Sequence, residues 1–183
     1  ESIFCKLSGL HERILAVKTD GPTKEDYVWG LRIAFLTFGS KGLGEESFAA
    51  LIQKVMGDIR SSVSCSNTPA QSLFKRIYLD PESAEEKKHY HGILCRRYRA
   101  VKKFVGEQKD FKRLRALPFN SGYFMSFRCD GIDAEELRKT LLLKEGIGLV
   151  VLGGNYIRLA FSALQEEQIA PVLRIIYDTA ASL

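Results

Sequence analysis

Apolar residues recur along this chain in two periods, one typical of helices and one typical of strands. Spacings of three and four residues predict helices over 45–59, 69–78 and 84–108. A short apolar run at 13–17 and a longer one at 31–38 predict strands. The second strand is expected to be covered on both faces, because it carries almost no polar residue. The first half of the chain is therefore expected to mix helices with buried strands.

After Pro118 the predicted helices and strands become shorter and are separated by short connections. The predicted elements are a strand at 119–129, a helix at 133–144 with Asp133 as its N-cap, strands at 146–152 and 156–162, and a closing helix at 166–183. In the 156–162 strand, alternation places Ile157 and Leu159 on one face and Arg158 on the other. We expect an α+β unit with its own core here.

Composition is that of an ordinary globular chain, with 45% hydrophobic and 27% charged residues among 183. No apolar run approaches the roughly 20 residues of a membrane span, and residues 1–4 do not begin a signal peptide. No membrane partner and a cytoplasmic location are therefore expected. The four cysteines include no Cys-x-x-Cys pair, and His89 and His91 fall on different helix faces, so we expect no metal site.

The net charge of +5 is concentrated in residues 87–115, where eleven lysines and arginines face only Glu107 and Asp110. A basic stripe of this kind could contact nucleic acid. The solvated face of a helix explains it better, because apolar residues repeat at helical spacing through the same stretch. We therefore expect no nucleic-acid partner, and keep as an alternative a non-catalytic binding module that uses the basic 87–115 helix.

Segment 20–34 carries the candidate chemistry. Lys24 and Arg32 stand eight residues apart across a junction between two predicted strands. A deprotonated lysine amine can attack an aldehyde, and a planar guanidinium can hold a phosphate through paired charge-assisted hydrogen bonds. The two residue types at this spacing indicate a site for an aldehyde cofactor that bears a phosphate.

This segment resembles the active-site lysine motif of class I/II aminotransferases, the fold-type-I enzymes that depend on pyridoxal 5'-phosphate. The matching residues are Gly21, Thr23, Lys24, Val28, Gly30, Arg32, Ile33 and Ala34, and the departures are Pro22 and Tyr27. Residues 155–162 resemble the family's C-terminal Arg-apolar-small strand, and residues 66–69 resemble its Ser-Asn-Pro-Pro loop. The resemblance covers essentially the whole chain.

The resemblance implies a role for each matching polar residue. Lys24 would bind the cofactor aldehyde as an imine and then act as the base. Arg32 would bind the cofactor phosphate, Asn67 would lie near that phosphate at a subunit interface, and Arg158 would bind the substrate α-carboxylate. The implied reaction moves an amino group between an amino acid and a 2-oxo acid, in a homodimeric enzyme of aspartate, aromatic or related type. A lyase or synthase of the same fold remains an alternative.

The implied fold is of the α/β and α+β classes. Residues 1–108 would be the C-terminal part of the aminotransferase large domain, joined by its long helix to a small α+β domain at 109–183. The family's aspartate against the pyridine nitrogen, its tyrosine and its ring-stacking aromatic would all lie upstream of residue 1. We therefore expect the C-terminal portion of a longer enzyme, inactive by itself. Since a truncated sheet leaves strand edges unpaired, we expect the strands over 13–38 to be poorly covered in this chain.

Two further departures concern substrate and phosphate binding. Ser62 stands where aspartate-specific members carry an arginine, so the distal carboxylate of a dicarboxylic substrate has no assigned partner. Gly21 replaces a phosphate-binding serine found in many relatives, and either Thr19 or Thr23 could take over its role.

Overall fold

The computed structural model describes residues 2–183 of the chain. Its helices are α1 (Ile3–Ser8), α2 (Pro22–Glu25), α3 (Glu45–Ser62), α4 (Thr68–Leu79), α5 (Pro81–Glu107), α6 (Ala134–Glu145) and α7 (Glu166–Ser182). Its strands are β1 (Ala16–Asp20), β2 (Phe35–Gly39), β3 (Leu114–Ala116), β4 (Met125–Cys129), β5 (Val150–Leu152) and β6 (Tyr156–Leu159). Within the described part of the chain, no helix is both long and apolar enough to cross a membrane.

The chain forms two compact units, residues 1–87 and residues 88–183, which we call the first and second units. The boundary between them lies inside α5. The domain boundary expected from the sequence, at residue 108, coincides with the end of the same helix and stays a prediction. Each unit is described by itself below.

The second unit holds a closed apolar core. Its four antiparallel strands run in the order β3-β4-β6-β5. The fully buried side chains come from β3, β4, β6, the 3-10 turn Phe161–Ala163 and the three helices of the unit, and they include Phe127, Phe161, Leu114, Ile157, Leu137, Leu173 and Val101. Asp133 caps α6 as predicted, since its carboxylate accepts a hydrogen bond of 2.8 Å from the Glu136 amide.

Alternation along β4 separates the two faces of this sheet. Met125, Phe127 and Cys129 point into the core and are buried. Their neighbours Ser126 and Arg128 lie on the opposite face. Ser126 pairs with Arg158 on β6, so Arg158 also lies on the face away from the core. This confirms the placement of Arg158 that alternation predicts.

The first unit buries far fewer apolar side chains than the second. Its two strands form one antiparallel pair, β1-β2, with Ala16 opposite Gly39 and Asp20 opposite Phe35. Ala16, Ile33 and Ala70 are its buried apolar residues, together with Pro22. Large apolar side chains on the strands remain exposed, among them Val17 at 54%, Phe35 at 44% and Leu36 at 45%.

The predicted strand at 31–38 begins too early, and its low burial agrees with the expectation for a truncated sheet and not with that for a strand covered on both faces. Residues Trp29–Leu31 form a 3-10 turn, and Arg32 adopts a left-handed conformation with φ of 51°, which a strand cannot continue through. The strand therefore begins only at Phe35. Its burial is low because the sheet of this unit has just two strands, which give it little to pack against.

Two further elements of the second unit differ from the predicted ones. The predicted strand at 146–152 begins only at Val150, because Gly146 takes a left-handed C-cap conformation after α6. Strand β3 was not predicted, since its three residues Leu114–Ala116 lie in the basic stretch. The basic 87–115 segment is consequently a helix only as far as Glu107.

The same substitution should have unequal effects in the two units. Phe127→Ala empties a fully buried site and should lower the free energy of unfolding of the second unit by about 3–5 kcal/mol. Phe35→Ala removes a half-exposed ring and should cost about 1 kcal/mol. Urea unfolding followed by circular dichroism measures both changes. Equal losses would contradict the difference in burial.

Cys129 should be the least reactive of the four thiols. Burial raises the pKa of its thiol from 9.0 to about 11, with Asp130 and Asp133 adding to the rise. Native protein treated with iodoacetamide at about pH 8 should therefore be labelled at the exposed Cys5 and Cys65, and at Cys129 only after unfolding. Peptide mass spectrometry gives the positions.

The same shift gives a pH dependence. The thiol of the unfolded chain ionises at lower pH than that of the native chain, so stability is lost as the pH rises from about 9 to about 11. A Cys129→Ala variant should show a smaller loss over that range, and an equal loss would contradict this origin.

Candidate functional site

The connection between β1 and β2 carries both Lys24 and Arg32. Asp20 and Phe35 are the last paired residues of the two strands, so residues 21–34 close the hairpin at one end of the sheet. Pro22 begins the single turn of α2 and is buried, which fixes that turn against the unit. Lys24 lies in this turn with an exposed side chain, and Arg32 lies at the end of the following 3-10 turn.

The acidic residues near this connection are engaged by other lysines. The Asp26 carboxylate accepts a hydrogen bond of 2.8 Å from Lys87 Nζ, and the Asp20 carboxylate lies 2.9 Å from Lys18 Nζ. Each of these pairs holds the pKa of its lysine above the usual value, mainly through the hydrogen bond. Asp20 and Asp26 thus each bind a lysine of the same unit, Lys18 and Lys87 respectively.

Arg32 has an uncommon backbone conformation and an exposed side chain. Its Nη1 donates to the Trp29 carbonyl oxygen at 3.4 Å, and no described carboxylate pairs with it. A left-handed conformation is uncommon for residues other than glycine, and it recurs here at Tyr27, with φ of 58°. Two such residues within one connection indicate a backbone that is fixed by more than local preference.

Asn67 has a clear structural role. It is the N-cap of α4, and its side-chain oxygen accepts a hydrogen bond of 3.1 Å from the Ala70 amide. Its amide nitrogen remains a donor directed away from that bond. The placement of Asn67 near a cofactor phosphate stays a prediction.

Arg158 lies on the second unit, half-buried on the outer face of β6. Its guanidinium stacks over the Phe124 ring at 4.6 Å from the centroid. Val150 and Ser126 flank it on the neighbouring strands. It pairs with no carboxylate among residues 2–183, which leaves a fixed cation with its hydrogen-bond donors available to an anion.

Two residues that the sequence did not single out support Arg158. Phe124 supplies the stacking surface, and its position in a loop gave no signal of that contact. Arg97 on α5 donates to the Ser162 carbonyl oxygen and, at 3.0 Å, to the Gln165 side chain. It thereby ties the segment that follows β6 to α5, although its buried Nε has no partner.

Lys24, Arg32 and Asn67 thus belong to the first unit and Arg158 to the second. The hairpin connection carries the amine of Lys24 and the guanidinium of Arg32. This set of groups fits the aldehyde and the phosphate of pyridoxal 5'-phosphate. No group of three or more metal-ligating side chains occurs within the described residues.

Several cations of the basic stretch bind acceptors of the same chain at partly exposed positions. Lys87 pairs with Asp26, Arg96 with Glu166, and Arg115 with Asp130. The others that bind backbone or side-chain oxygens are Arg97, Lys102 and Arg113. These contacts weaken the alternative of a nucleic-acid-binding helix, which needs its cations directed outward.

Comparison with solved structures identifies the fold. An aminotransferase from Anaerococcus prevotii matches with a TM-score of 0.76 and 22% identity, over 95% of this chain and 41% of that chain. The aromatic aminotransferase from Pyrococcus horikoshii matches with a TM-score of 0.69 and 14% identity, over 91% and 43%. The aspartate aminotransferase from Thermotoga maritima matches with a TM-score of 0.60 and 20% identity, over 88% and 39%.

The chain therefore spans about two fifths of the length of these structures. No family model and no curated protein matches it. The structural likeness confirms the fold class expected from the sequence, that of the C-terminal part of aminotransferases.

The capping role of Asn67 can be tested on this chain. Asn67→Ala removes the acceptor for the Ala70 amide and should lower the free energy of unfolding of the first unit by about 1 kcal/mol. Asn67→Asp keeps the acceptor and should retain that stability. Urea unfolding of the two variants measures the difference, and an Ala variant as stable as the Asp variant would contradict the capping role.

Proposed function

We propose that this chain is the C-terminal portion of a pyridoxal-phosphate-dependent aminotransferase, which moves an amino group between an amino acid and a 2-oxo acid. The observation that carries the proposal is the pairing of Lys24 and Arg32 in one hairpin connection. The aminotransferase fold supports it, since the neighbouring structures are aminotransferases of several types. Because the chain spans only part of their length, the activity is assigned to a longer polypeptide.

In this proposal the cofactor, when bound, withdraws the electron pair that is left at the substrate Cα after a proton is removed. The chain's own residues do the rest. Lys24 would hold the cofactor through its aldehyde, and its amine would serve as the base that takes and returns the proton at the substrate Cα. The Arg32 guanidinium would bind the phosphate with paired hydrogen bonds.

Arg158 supplies substrate recognition. Its planar guanidinium matches a carboxylate, and the Phe124 ring holds that plane in place. Both an amino acid and a 2-oxo acid carry a carboxylate at this position, so one arginine can serve both half-reactions. Ser62 offers no charge for a second carboxylate, which favours a substrate of aromatic or other apolar type over aspartate. The proposed enzyme that contains this chain is a cytoplasmic homodimer.

Attachment to Lys24 can be tested without measuring turnover. The polypeptide that contains this chain is mixed with pyridoxal 5'-phosphate and reduced with borohydride, which fixes the cofactor to the amine that holds it. Peptide mass spectrometry should find the phosphopyridoxyl group on Lys24. Lys24→Arg should abolish the modification, because a guanidinium does not form the bond under these conditions.

Lys41→Arg is the matched control, since Lys41 is an exposed lysine on the loop after β2. It should leave the modification of Lys24 unchanged. Specific modification that survives in Lys24→Arg would overturn the assignment. The 183-residue chain alone should show no transamination, and steady turnover by it would refute the statement that the chain is only part of the enzyme.

A further inference from the structure

A cleft of about 330 Å³ opens in the second unit beside the end of α5. Its walls are the last turns of that helix, the segment that follows it, and strand β3 with the residues after it. It contains none of Lys24, Arg32, Asn67 or Arg158, so the proposed transamination leaves it without a role. Its volume falls at the lower end of the range for small-molecule pockets.

Tyr177 is the unusual member of the lining. It is only 5% exposed, and its ring is packed edge-on against Phe111 at 5.3 Å and Phe127 at 5.7 Å between centroids. Its hydroxyl makes no hydrogen bond to another side chain or backbone group of residues 2–183 and keeps some access to solvent, because the buried side-chain atom without a partner among these residues is Arg97 Nε. Burial raises the pKa of this phenol to about 12, so the group stays a donor at neutral pH.

The remaining lining combines apolar walls with cations. Val105, Phe111, Leu114 and Phe119 contribute apolar surface. Lys102 is fixed at the wall, since its Nζ donates 2.8 Å to the Phe119 carbonyl oxygen and lies 4.7 Å from the centre of the Phe119 ring.

The charges of the lining are all of one sign. Lys109 also lines the cleft and makes no ion pair with any described residue. Arg115 is held by Asp130 at 2.6 Å, and no acidic residue belongs to the lining. An anionic ligand is therefore favoured inside this cleft over a neutral or cationic one.

We propose that the cleft binds a small aromatic carboxylate. The ring of such a ligand packs against Phe111, Leu114 and Phe119, and its carboxylate accepts a hydrogen bond from the Tyr177 hydroxyl. The ammonium groups of Lys102 and Lys109 attract the same negative charge. The ligand thereby supplies an acceptor for the Tyr177 hydroxyl and an anion for a lining whose charged residues are all cations.

Phenylacetate is a suitable probe, and phenylacetamide is its neutral isostere. Titration of the whole chain by calorimetry should give saturable binding of phenylacetate in the millimolar range and much weaker binding of phenylacetamide. Amide shifts in a ¹⁵N spectrum should move within residues 102–119 and around Tyr177 on α7. Equal affinity for the acid and the amide would overturn the proposal, as would an absence of saturable binding of phenylacetate.

Variants test the two polar contacts separately. Tyr177→Phe keeps the ring and should weaken phenylacetate binding about fivefold through loss of one hydrogen bond. Lys109→Gln, at an exposed position that should not affect folding, should weaken binding about threefold. The matched control Lys112→Gln removes the same charge from a residue outside the lining and should leave affinity unchanged.

Equal affinity in Lys109→Gln and Lys112→Gln would overturn the role of Lys109, and unchanged affinity in both Tyr177→Phe and Lys109→Gln would overturn the site. Lys24→Arg should bind phenylacetate as the wild type does. That outcome separates the cleft from the proposed cofactor site, because either assignment can fail while the other holds.

Discussion

The alternation of side chains in β4 and β6 is the constraint on which the second unit depends. Because successive residues of a strand point to opposite faces, the same pairing that buries Phe127 and Ile157 leaves Arg158 on the outer face. A slip of one residue would place the guanidinium in the apolar core, at a large cost in desolvation. The core therefore stabilises the fold and also fixes where its unpaired arginine lies.

The first unit presents the opposite situation. Its candidate residues lie on a connection that contains a short turn anchored by the buried Pro22 and two left-handed residues, while the strands beside it remain half-exposed. Chemistry that develops charge at Cα is favoured where water is excluded and charges are fixed. Lys24 and Arg32 are exposed on this chain, which agrees with the proposal that any activity belongs to a longer polypeptide.

Sequence reasoning succeeded where the determining interactions are local. Helical periodicity located α3, α4 and α5 to within a few residues, and Asp133 was recognised as a cap because capping needs only a side chain and the amides of the next turn. It failed where backbone conformation departs from residue preference. The apolar run around Arg32 predicts a strand, but the positive φ of Arg32 interrupts it. An arginine side chain does not predict a positive φ, so the sequence gives no sign of this interruption.

The same distinction between local and distant interactions explains which functional groups were visible in the sequence. Lys24 and Arg32 are joined by one connection, so their spacing alone indicates a shared role. The support of Arg158 by Phe124, and the meeting of Lys102, Lys109 and Tyr177 around one cleft, join residues far apart in the chain. The relative positions of these side chains depend on how the whole core packs, and a single sequence does not specify that packing residue by residue. A cleft that joins the Tyr177 hydroxyl to apolar walls and lysines can therefore be recognised only after the fold has been built, and this combination gives the cleft a chemical preference that composition could not reveal.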